Sequence, residues 1–62
     1  MIMREIKFTI YKHTKGFPDY LDYDLNDYED FGYFHTRSEA ESCAEIMNLA
    51  HGKDYNYYVV MV

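Results

Sequence analysis

Residues 36–62 read TRSEAESCAEIMNLAHGKDYNYYVVMV, and this half of the chain decides the fold. Thr36-Arg37-Ser38-Glu39 has the form of a capping box, in which the threonine hydroxyl takes the Glu39 amide and the Glu39 carboxylate returns to the Thr36 amide. A helix therefore starts here. Ala40, Cys43, Ala44, Met47 and Ala50 recur at intervals of three and four, giving a narrow face of small side chains with Ile46 and Leu49 beside it. Gly52 is then expected to close the helix in the left-handed conformation. Small side chains let the helix lie close to a sheet, and residues 55–62, YNYYVVMV, supply a strand for it. Apolar on nearly both faces, that strand is expected at the centre of the sheet. At an edge it would invite pairing with a second copy.

Working upstream, Phe31-Gly32-Tyr33-Phe34 is a short aromatic run between polar residues and reads as a further strand, its glycine allowing a bulge or close packing. Residues 2–12 alternate Ile2, Ile6, Phe8 and Ile10 with Glu5, Lys7 and Thr9, the pattern of a strand with one buried face. Lys15-Gly16-Phe17-Pro18 breaks it. The expected fold is thus α+β, a three-stranded, mainly antiparallel sheet with one helix packed on it in the order β-loop-β-α-β. Eighteen residues lie between Lys12 and Phe31, a long connection for so small a domain. Within it, 19–30 reads as a helix opened by Pro18 with Leu21, Leu25 and Tyr28 on one side, or as an extended segment alternating Leu21, Tyr23 and Leu25. A short helix or turn is the preferred reading.

Sixty-two residues make one domain, 1–62, of marginal stability. Cys43 is the only cysteine, which excludes an intramolecular disulfide and favours a reducing, cytoplasmic setting. Arg4, Glu5 and Lys7 interrupt the first apolar run, so neither a signal-peptide core nor a membrane span is expected. The unusual resource is aromatic: eight tyrosines and four phenylalanines, which serve equally as buried bulk and as anchors on a binding surface.

Charge is unevenly placed. The chain carries −5, yet residues 19–30 alone hold six acids and no cation, so the remainder sums to +1. Carboxylates at that density repel one another unless a cation, a basic partner or water relieves them. The candidate partner-binding residues are therefore Asp19, Tyr20, Asp22, Tyr23, Asp24, Asp27, Tyr28, Glu29 and Asp30. Carboxylates spaced along an exposed segment fit grooves lined by Lys and Arg for phosphates, as nucleic-acid mimics do, and the tyrosines add anchors. The plainer alternative is a solvated acidic loop.

Other chemistries fare worse. Asp22, Asp24 and Asn26 match the first ligands of an EF-hand, but Asp27 stands where glycine is needed and Tyr33 where the bidentate glutamate is needed. His13, His35, His51 and Cys43 show no paired spacing, so no metal site is expected; His13 is assigned to the loop, His35 to the helix entry and His51 to the last helical turn. Cys43, among Glu39, Glu41 and Glu45, reads as a buried structural thiol. No nucleophile elbow, phosphate loop or dinucleotide glycine pattern is present, and neither a cofactor nor an enzymatic activity is expected. Tyr55, Tyr57 and Tyr58 suggest a base-stacking platform, but the negative charge repels phosphate, so direct nucleic-acid binding is not expected.

With Thr36-Arg37-Ser38-Glu39-Ala40-Glu41 opening a small-residue helix and YYVVMV following it, the second half of the chain resembles the strand–helix–strand pattern of tiny phage-encoded proteins, among them inhibitors of host RNA polymerase and anti-defence proteins. The resemblance implies a stand-alone acidic domain that plugs a host protein's surface, and it carries over no functional residue. The expected function is a protein-binding module or inhibitor presenting 19–30 to a basic surface of a host nucleic-acid-handling protein, with no membrane partner. The alternative is a structural homo-oligomer, a homodimer pairing through the C-terminal strand, with the acidic segment serving solubility.

Overall fold

Strand β1 (Phe8–Thr14) runs through the middle of the molecule in the computed structural model, which describes residues 5–62. After it come a single 3-10 turn (Asp19–Leu21), the two-residue strand β2 (Tyr23–Asp24) and a second 3-10 turn (Leu25–Asp27). Helix α1 (Arg37–His51) and strand β3 (Tyr55–Met61) complete the chain. The three strands form one antiparallel sheet in the order β2-β1-β3, with the single helix packed on one face. The α+β architecture is the expected one.

The strand order is not. β1 pairs with β3 over seven rungs, from Phe8 opposite Met61 to Thr14 opposite Tyr55, and with β2 over two, Tyr11 opposite Asp24 and Lys12 opposite Tyr23. Successive strand residues point to opposite faces, yet Thr9 and Ile10 are 1% and 0% exposed. Both faces of β1 are covered near its start, and β3 takes an edge. The reason lies in what covers β3: α1 lies over Tyr57 and Val59, while Tyr58 on the other face packs against the Tyr11 ring. An edge strand thereby becomes apolar on both sides without a second neighbour.

No strand forms over Phe31-Gly32-Tyr33-Phe34. Gly32 adopts φ +92°, a left-handed conformation that interrupts extended backbone, and only Phe34 reaches the sheet, exchanging two 2.9 Å backbone hydrogen bonds with Phe8. Phe31 and Phe34 pack against the core instead. The second strand comes from within the acidic connection, where residues 19–30 combine both readings: one turn, two extended residues, another turn. Residues 2–4 of the expected first strand lie outside the described residues; Ile6 is over half exposed, and the strand extends past Lys12 to Thr14.

The core consists of Ile10, Leu25, Ala44 and Tyr57, with Ala40 also buried. Thr36 caps α1 through a 3.2 Å bond from the Glu39 amide, while the Glu39 carboxylate takes the Thr36 hydroxyl at 3.1 Å. The small-residue stripe narrows in practice to Ala40 and Ala44, because Cys43 and Met47 are half-buried and Ala50 is exposed. Gly52 is right-handed, at φ −64°, ψ −9°. Its requirement is steric: a Cβ there would collide with the Asn48 carbonyl oxygen.

Asn48 joins helix to sheet. Its Nδ2 donates to the Tyr57 carbonyl at 2.9 Å and its Oδ1 accepts the Tyr57 amide at 2.8 Å, so one side chain stands in for a neighbouring strand residue at the β3 edge. Replacing Asn48 with Ala removes both bonds. The expected loss is about 2 kcal/mol, read as a Tm roughly 10 °C lower by thermal circular dichroism with the far-ultraviolet spectrum preserved.

Candidate functional site

The alternation of β1 sends Thr9, Tyr11 and His13 to the sheet face opposite α1, and the rungs of the sheet place Asp24 and Tyr58 on that same face. Thr9, His13 and Tyr58 each bond a carboxylate of the acidic segment. The Asp22 carboxylate lies between two donors: the Tyr58 hydroxyl reaches Oδ2 at 2.7 Å and His13 Nδ1 lies 2.6 Å from Oδ1. The Tyr58 hydrogen bond, with that of His13 behind it, holds the Asp22 carboxyl below its ordinary value. Burial, reinforced by the same carboxylate, pushes the Tyr58 phenol up to about 12.

Asp24 is committed in the same way. Its Oδ1 accepts the Thr9 hydroxyl at 2.6 Å and the Asn26 amide at 2.9 Å, the second bond capping the turn at Leu25–Asp27. Asn26 then grips the far side of the loop: its Nδ2 donates to Thr9 Oγ1 at 3.0 Å and to the Gly32 carbonyl at 3.1 Å, and its Oδ1 accepts the Gly32 amide at 2.6 Å. Thr9, Asp24, Asn26 and Gly32 thus form one closed polar knot.

The nine candidate residues therefore divide. Asp22, Tyr23 and Asp24 belong to the sheet, Tyr23 packing on the core with the Tyr28 ring edge-on at 4.9 Å. Asp19 and Tyr20 are exposed on one side of β2, Asp27, Tyr28, Glu29 and Asp30 on the other. Tyr20 and Tyr28 are 84% and 78% exposed, and Leu21, next to Tyr20 in the chain, is 51% exposed. Sequence reasoning missed Leu21 as a surface apolar residue. It also missed His13 and Asn26 as the groups that fix this surface; their partners Asp22, Gly32 and Thr9 lie nine, six and seventeen residues away, beyond the reach of local pattern.

Two further arrangements bear on chemistry. The ligand atoms of His13, Asp19 and Asp22 lie within 4.8 Å of one another, an imidazole and two carboxylates able to hold a divalent cation. The EF-hand spacing is not used this way, because Asp22 turns to His13 and Tyr58 while Asp24 turns to Thr9 and Asn26. On the helix side, Lys12 Nζ sits 3.8 Å from the centre of the Tyr55 ring and 5.9 Å from that of Tyr57. Burial lowers its pKa, but the surrounding phenols of Tyr57, Tyr23 and Tyr55 outweigh burial and the net shift is upward. Tyr55 and Tyr57 are thereby occupied by Lys12 under α1 and Tyr58 faces the other way, so the three do not make one stacking surface.

No protein-family model, curated protein or solved structure matches the chain. Among the described residues, no helix is long and apolar enough to cross a membrane.

The Tyr58–Asp22–His13 chain has a pH signature. Because the folded Asp22 pKa lies below the ordinary 3.8, its stabilisation is complete above that value and is lost as pH falls through the lower folded value. Tyr58 acts at the other end: its stabilisation is complete below pH 10 and is lost as pH rises toward about 12. Tyr58→Phe removes the principal cause of the Asp22 shift. Acid unfolding of this variant is expected at a higher pH than in the parent, and its phenolate absorbance titration should lack the component near 12.

Proposed function

We propose that the chain acts by binding another protein through the exposed part of the acidic segment: Asp19, Tyr20 and Leu21 with Asp27, Tyr28, Glu29 and Asp30. The observation that carries this reading is the exposure of Tyr20 and Tyr28 among exposed carboxylates, Asp19 at 3.5 Å from His13 Nδ1 being the one with a side-chain partner among the described residues. A ring this exposed contributes little to the core, even with the edge contact of Tyr28 on Tyr23, and in a domain of this size such area is scarce. Rings of this kind are the anchors that protein interfaces favour, and carboxylates around them select a basic partner.

A basic surface that handles nucleic acid is the partner class this pattern fits. Its lysines and arginines are spaced for phosphates, and carboxylates fixed on a rigid loop meet them without the ordering cost of a flexible tail. Rigidity comes from below, through the bonds of Asp22, Asp24 and Asn26. The outcome would be inhibition by occupancy, the mode suggested by the resemblance to small phage inhibitors.

The experiment separates the two groups of acids. In a variant carrying Asp19→Asn, Asp27→Asn, Glu29→Gln and Asp30→Asn, with Asp22 and Asp24 intact, the fold is expected to keep its Tm within a few degrees. Affinity capture from a host lysate by the parent should yield a partner that is released at high salt and that this variant fails to retain. Tyr20→Ala with Tyr28→Ala should weaken capture at least tenfold even at low salt, as expected for anchor residues. Equal retention by all three proteins would refute the reading.

A further inference from the structure

Among the described residues, β3 has a neighbour on one side only. Val62 donates to the Lys7 carbonyl and Asp54 accepts from the Lys15 amide. Even-numbered residues of this stretch therefore turn their backbone groups toward β1, and odd-numbered ones turn theirs outward. Asn48 takes the outward pair of Tyr57. At the next two outward positions, Val59 and Met61, neither N–H nor C=O is bonded to any described residue.

Exposed edges are ordinarily blunted by a charge, a proline, a bulge or a covering element. The other edge of this sheet is: β2 is two residues long and embedded in the acidic segment. Residues 55–62 contain no charged residue and no proline, and Met61 and Val62 are 59% and 57% exposed.

We propose that β3 pairs antiparallel with β3 of a second copy about a two-fold axis at Val60, joining the two sheets edge to edge. The symmetry of the free groups selects this occupant. With the axis at Val60, Val59 faces Met61 of the second copy and Met61 faces its Val59. Each facing pair exchanges two backbone hydrogen bonds, and the identical strand supplies every donor and acceptor. Val60 meets its own copy across the axis, a β-branched pair of the kind that favours sheet pairing. Charge placement agrees. The acidic segment lies beyond β1 at the opposite edge, so pairing through β3 leaves both acidic segments on the outer edges of the joined sheet.

Glu41 and Glu45 of α1 line the groove beside Asn48 and Tyr57, and pairing brings them toward their counterparts. Added salt therefore strengthens this contact, the opposite of its effect on a basic partner held by the acidic segment. So short a pairing falls at or below the lower end of specific interfaces, about 1,200 Å², the class of weak and transient contacts.

Sedimentation equilibrium of the chain alone, from about 5 µM to 1 mM, is expected to show monomer passing to dimer, with the midpoint shifting to lower concentration as salt is added. Met61→Pro removes an outward amide that is bonded to no described residue. It should keep the parent's circular dichroism and weaken the dimer at least tenfold. As a check independent of that variant's folding, the Val59 and Met61 amides of the parent should exchange slowly with solvent at high concentration and rapidly at low, while the Tyr58 amide stays protected throughout. A monomer at 1 mM overturns the proposal. So does a dimer in which these two amides exchange equally fast at both concentrations, or one that a folded Met61→Pro leaves as tight as before.

Discussion

The Thr9 hydroxyl is almost wholly buried in β1, which among the described strands has neighbours on both edges, and the rest of the molecule is arranged around keeping it bonded. Its proton goes to Asp24 and its oxygen receives Asn26. Because the acceptor is an ionised carboxylate, this bond is of the stronger class, contributing about 1.5–3 kcal/mol. It draws β2 against β1, and Asn26 carries the constraint across to Gly32, closing the loop. Leu25 is thereby delivered into the core, with Phe31 and Phe34 packed against it on the helix side. In a domain too small to rely on apolar burial alone, a satisfied polar knot on one face and a tyrosine-rich core on the other divide the work.

What was legible in the sequence was what is local. Thr36 and Glu39 are three residues apart, and their cap and the helix after it could be read directly. So could the last strand. Which strand lies at the centre could not, because the apolar character of Tyr58 is explained by Tyr11 and that of Tyr57 by α1, both supplied by other parts of the chain. The run at 31–34 has strand composition, and Phe31 and Phe34 do pack, but the left-handed Gly32 held by Asn26 turns these two into plugs against the core.

The acidic segment shows the same limit at the level of a site. Asp22 and Asp27 are the same letter in the same run, yet one is enclosed by a phenol and an imidazole and the other faces water. Composition located the surface but did not separate its foundation from its face. The separation follows from strand parity: Asp22 and Asp24 lie on the side of the sheet that carries His13, Tyr58 and Thr9, and neutralise their own repulsion with bonds the sheet provides. That leaves the outer carboxylates free to vary in number and position without disturbing the strand pairing beneath them.

The pairing of β1 with β3 also shapes how the chain must reach this state. Even its innermost rung, Thr14 with Tyr55, closes a loop of roughly forty residues, whereas α1 and the arch from β1 to β2 need only nearby contacts. Chain entropy therefore orders the events: helix and arch first, the long ladder last. Until that ladder closes, the edge of β1 that will receive β3 stands open. The lifetime of this half-zipped species, set by the search of a single tethered strand, determines how long each molecule is exposed to strands other than its own.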